Sequence, residues 1–171
     1  MAMALPAAAK QDDDRLEPLF EQLLTVDDKA VIVATERQIW GIWHESGSDT
    51  IDLLMQSGIH AMNRGDHAEA VEQFTAVVEI APKFAEGWNK RATAHYLAGD
   101  YDASVADIAK TLELEPRHFG ALSGLGLIYD AIDQPEGALR AYRRALAVHP
   151  HLQHPRRRVE ALKKELKDRN I

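Results

Sequence analysis

The chain has 171 residues, 46% hydrophobic and 27% charged, and no cysteine, so it is long enough for one domain with its own core, without disulfides, thiolate catalysis or cysteine-ligated zinc. Its formal charge of −7 is uneven: residues 1–50 hold ten acids against four bases, and residues 155–171 hold seven bases against three acids. That basic end alternates with acids at helical spacing, which argues against nucleic-acid binding, and no apolar run approaches the roughly 20 residues of a membrane span.

The first stretch, 1–11, runs Ala-rich through Leu5, Pro6 and Ala7. It reads as the last part of a signal peptide whose basic start and apolar core are missing, or else as a disordered leader. From 12 to 24 Leu16, Leu19, Phe20 and Leu23 form one stripe of an amphipathic helix, with Asp residues at its positive N-terminal end and Pro18 tolerated in its first turns. Residues 25–28 break it. A second helix over 29–45 carries Ile32, Ile39, Trp40, Ile42 and Trp43. The pair, 12–50, is expected to pack on the element that follows, with Trp40 and Trp43 in the core.

Next comes an internal repeat with a period of 34 residues. Gly65-Asp66 recurs as Gly99-Asp100, and Pro82 recurs as Pro116 and Pro150. The small residue opening each second helix recurs as Ala70, Ser104 and Ala138, followed by the bulky Phe74, Ile108 and Tyr142. Each unit reads as two antiparallel helices punctuated by Gly and ended by Pro. Trp88, Ala92, Gly99, Tyr101 and Pro116 follow the large, small, turn and terminator pattern of the tetratricopeptide repeat (TPR), and the chain resembles that family. The three units cover 51–84, 85–118 and 119–152. After them a helix within 153–171 places Val159, Leu162 and Leu166 on one face and pairs Glu160 with Lys164 and Glu165 with Arg169 at i, i+4. It is expected to cap the stack, with Arg156, Arg157 and Arg158 on its solvated face.

The resemblance implies an all-α fold: a right-handed superhelix of antiparallel helix pairs, with a degenerate N-terminal pair, three repeats and a C-terminal capping helix in one folded domain, 12–171. It also implies a non-catalytic scaffold that binds a protein segment in its concave groove. A permanent subunit of a larger assembly is the alternative. Likeness to small bacterial proteins of this type, together with the Ala-rich start, favours export to the periplasm over the cytoplasm.

The family's groove positions fall on Met55, Gln56, Ile59 and Met62 in the first repeat and on Asn89, Lys90, Thr93, Tyr96 and Leu97 in the second. Leu127 is the apolar member in the third. Methionines adapt to varied shapes and a tyrosine makes a rigid anchor, so the expected guest is an apolar protein segment. The version that grips a C-terminal carboxylate needs cations over three repeats, and here the third offers Gly120, Ser123 and Gly124. Arg91 stands where this repeat usually has leucine, and Asp107 is expected to pair with it. Trp88, Gly65, Gly99, Pro82, Pro116 and Pro150 are structural. His149, His151 and His154 straddle a proline without helical ligand spacing and read as plain loop residues rather than a metal site, and His95 reads as a packed core histidine. No strand precedes Gly120, Gly124 and Gly126, which rules out a phosphate loop. No nucleophile, histidine and acid converge, so no catalytic residue and no cofactor is assigned.

Overall fold

The computed structural model describes residues 13–169 and side chains through Asp168. The leader 1–11, Asp12 and the pairing of Glu165 with Arg169 lie outside the described residues. Those described form an all-α fold of nine helices: α1 Leu16–Thr25, α2 Lys29–His44, α3 Asp49–Asn63, α4 His67–Ile80, α5 Ala85–Ala98, α6 Tyr101–Leu114, α7 Phe119–Ala131, α8 Pro135–Val148 and α9 Gln153–Arg169. Each 34-residue unit is one helical hairpin, α3 with α4, α5 with α6 and α7 with α8.

The turn inside each hairpin follows from the repeated Gly. Gly65 and Gly99 sit at φ of +79° and +81°, a left-handed conformation that costs a side-chain-bearing residue but not glycine. In the first repeat the amide of Gly65 donates to the Met62 carbonyl and that of Asp66 to the Ala61 carbonyl, both at 2.9 Å. In the second, Gly99 donates to Tyr96 at 3.0 Å and Asp100 to His95 at 2.9 Å. This pattern closes the carbonyls left open at a helix C-terminus. The Asp that follows then caps the next helix, Asp66 accepting from the Glu69 amide and Asp100 from the Ala103 amide, each at 3.1 Å.

Between paired helices a small residue faces a large one. A Cβ on Gly58 would lie 2.5 Å from Cε1 of Phe74, and one on Gly126 would collide with the Tyr142 ring. Buried Ala92 and Ile108 hold the same register in the second repeat.

The described residues group into two compact units. One is built from 40–115; its core joins Ile51, Phe74, Val77, Phe84 and Ala94, with α4 packed on α5. The other combines 14–39 with 116–169; its core includes Ala138, Tyr142, Val159 and Leu162, with α8 packed on α9.

The N-terminal helices correct one expectation. α1 and most of α2 pack with the third repeat and α9 rather than on the first repeat. The reason lies in partners far along the chain. The Arg117 guanidinium sits 4.2 Å from the Phe20 ring and pairs with Glu17 at 2.6 Å, and His151 Nε2 donates to the Leu23 carbonyl at 3.1 Å. Leu16, Phe20 and Leu23, three of the four expected stripe residues, are buried.

Candidate binding face

The second repeat places its groove positions along α5. Glu86, at the start of that helix, is 0% exposed. One turn on, Lys90 Nζ lies 2.9 Å from Glu86 Oε1, and Asn89 Nδ2 donates to Glu86 Oε2 at 3.0 Å. These short links follow from i, i+3 and i, i+4 spacing on one helix face. A carboxylate removed from water demands such partners, so Asn89 and Lys90 are committed to Glu86. The last turn of α2 completes the cluster: His44 Nε2 is 3.4 Å from Glu86 Oε1, and Lys90 Nζ stands 5.7 Å from the centroid of the Trp40 ring. Trp40 in turn meets the buried Trp43 edge-on at 5.2 Å.

Farther along α5 the face opens. Thr93 is exposed and turns its hydroxyl back to the Asn89 carbonyl at 2.9 Å. Tyr96 is half-buried, its ring 5.7 Å from that of Tyr101, and Leu97 is 46% exposed. On α3 Gln56 is exposed, while Met55 is 6% exposed and belongs to the core cluster, with Ile59 and Met62 packed against it from partly buried positions. Leu127 is half-buried on α7, in the other unit.

Four of the structural residues, Arg91, Asp107, Trp88 and Pro82, come together around α5. Arg91 forks onto Asp107, Nε to Oδ2 at 2.8 Å and a terminal nitrogen to Oδ1 at 2.7 Å, and reaches Thr75 at 3.3 Å. Its guanidinium lies 4.8 Å from the Trp88 ring, whose Nε1 donates to the Pro82 carbonyl at 3.0 Å. His95 stands 3.8 Å from both Asp100 and Asp107.

Other polar residues have roles that the sequence did not disclose. Arg158 is more than a solvated side chain: it forks onto Asp130 at 2.9 and 2.7 Å, joining α9 to α7, and Tyr142 donates to the same carboxylate at 2.9 Å. Burial opposes the charged form of Asp130, but the Arg158 and Tyr142 hydrogen bonds together hold it below its usual value of 3.8. His149 is 1% exposed, edge-on to Phe119 at 5.0 Å and 3.4 Å from Glu36 Oε2. Burial pushes it below its usual 6.5, against the pull of Glu36, and the electrostatic effect of His151 lowers it further. His154 belongs to α9 and packs on Tyr142 at 5.5 Å. An open cavity of about 690 Å³ lies beside these residues, lined by Lys29, Ile32, Val33, Glu36, His149, His151, Leu152 and Gln153. Among the described residues no group of three or more His, Asp or Glu is placed to hold a metal ion, and no helix is long and apolar enough to cross a membrane.

Comparison with known proteins agrees with this architecture. A family profile described as tetratricopeptide repeat matches residues 55–116 and 89–152. The chain is 37% identical over 145 residues to a TPR repeat-containing protein of Rhizobium etli, spanning 84% of this chain and 70% of that one. It is 33% identical over 104 residues to small glutamine-rich tetratricopeptide repeat-containing protein 2 of Saccharomyces cerevisiae, spanning 61% of this chain and 30% of the yeast protein. The Sgt2 TPR domain from Aspergillus fumigatus shares the fold with a TM-score of 0.67 at 24% identity, over 72% of this chain and 83% of that domain.

Proposed function

Because the chain belongs to the tetratricopeptide repeat family, we propose that it is a non-catalytic adaptor that takes up an apolar segment of another protein on the face formed by α3 and α5. The observation that carries this reading is Tyr96 beside the 46% exposed Leu97, two large side chains at groove positions of α5. An aromatic anchor with an exposed apolar neighbour suits an amphipathic helix or an extended apolar strand. An acidic chain end suits this face poorly. Glu86 already places a buried carboxylate there, Lys90 is paired with it, and the third repeat offers Gly120, Ser123 and Gly124 instead of cations.

Affinity purification from the native source, with the bound protein identified, tests the adaptor reading. Stoichiometric association that survives washing would mark a permanent subunit instead. With that partner in hand, Tyr96→Ala is expected to weaken binding about thirtyfold, the loss of an anchor contributing about 2 kcal/mol. Calorimetry reads the change, and unchanged affinity in a folded variant moves the site away from α5.

A further inference from the structure

Part of the α5 face is occupied by the chain itself. The last turn of α2 lays Trp40 against Lys90 and His44 against Glu86. Trp40 and His44 are four residues apart, so they share one face of a helical turn. His44 Nδ1 donates to the Trp40 carbonyl at 2.6 Å, which fixes the ring and leaves Nε2 facing the carboxylate. With Nδ1–H committed to that carbonyl, Nε2 donates toward Glu86 when the ring is an imidazolium. The arrangement sets an aromatic ring and an imidazole, one helical turn apart, against a cluster whose deepest member is a buried carboxylate.

Ile42 and Trp43 anchor this turn in the core, while its outer side is open. His44 is 42% exposed and ends the helix. Gly41 sits within the turn although a Cβ there would meet nothing within 4 Å, so no close contact requires glycine and the helix bears its unfavourable propensity without compensation. Gly47, at φ +73°, lies three residues after His44 and turns the chain toward α3.

We propose that Trp40 and His44 are an internal stand-in for the partner, and that the Glu86–Asn89–Lys90 cluster recognises a helical segment carrying an aromatic residue and, four positions later, a nitrogen donor to the carboxylate. Such a segment binds by displacing the end of α2. This rests on the adaptor reading and narrows its partner to an amphipathic helix with an aromatic residue and a nitrogen donor one turn apart.

The probe is a fluorescent synthetic peptide of residues 36–47, titrated into the full chain by anisotropy. His44→Ala weakens the internal contact, and the peptide is expected to bind that chain at least fivefold tighter than wild type. Gly41→Ala stiffens the turn by a propensity difference equivalent to about fivefold, and the peptide is expected to bind correspondingly weaker. Adding Glu86→Gln to His44→Ala removes the gain. Equal binding to all these chains overturns the proposal, as does no binding to a His44→Ala chain whose circular-dichroism melt matches wild type. Gly41→Ala carries an independent sign should His44→Ala fold poorly. A native partner that still depends on Tyr96 while the peptide gives either negative result sinks the internal stand-in and leaves the adaptor standing.

Discussion

Arg91 and Asp107 show what a single buried charge demands. Two hydrogen bonds of 2.7 and 2.8 Å, with Thr75 as a third partner, satisfy the guanidinium away from bulk water. Removing one member strands the other. Asp107→Ala is therefore expected to cost about 3 kcal/mol, and Arg91→Leu with Asp107→Leu considerably less, because the double change leaves no uncompensated charge. Urea unfolding of the two variants measures the order; a single variant as stable as wild type would show that the pair contributes nothing. This pairing was legible because arginine stood at a leucine position and an acid lay on the facing helix. Arg158 with Asp130 was not. Arg158 sat in a run of three arginines that read as a solvated face, and nothing local joins residues 28 apart on α7 and α9.

At the scale of the element, the hairpin turns explain which repeats were easiest to see. The third repeat makes the same turn as the others without their sequence. Asp133 replaces the glycine at φ +53°, its amide reaching the Asp130 carbonyl at 3.3 Å and that of Gln134 reaching Tyr129 at 2.9 Å. No side-chain cap follows, and Pro135 opens α8 in its place. Geometry is retained there by the surrounding helices, whereas in the first two repeats Gly and Asp favour it locally. Asp133→Gly is expected to stabilise the protein by about 1 kcal/mol, the cost of a left-handed conformation for a residue with a side chain. A rise in Tm checks it; no rise would mean that the Asp133 side chain offsets its backbone strain. Helix limits were legible in the first two repeats for the same reason: glycine, aspartate and proline act on their immediate neighbours.

At the scale of the whole molecule, what the sequence concealed was long range. The stripe on α1 announced a buried face but not its partner, and His149 and His151 looked like loop residues because their neighbours Glu36 and Leu23 lie more than a hundred positions away. That burial has a pH signature. His149 binds its proton less readily folded than unfolded, so between its usual 6.5 and its lower folded value the unfolded chain holds more protons and stability rises with pH. The unit containing α1 and α9 is expected to weaken as pH falls below about 6.5. Comparing His149→Gln with wild type by thermal melts from pH 7.5 to 5 tests this, a flatter profile in the variant being the expected result and parallel profiles the contrary one.

The link from Glu17 to Arg117 spans 100 residues, and that from Leu23 to His151 spans 128. Repeat arrays ordinarily assemble from contacts between neighbouring repeats, wherever folding begins. Here α1 is translated about a hundred residues before the surface it docks on. Closing so long a loop delays its burial, so the nascent chain carries Leu16, Phe20 and Leu23 uncovered until α8 and the turn after it have been synthesised.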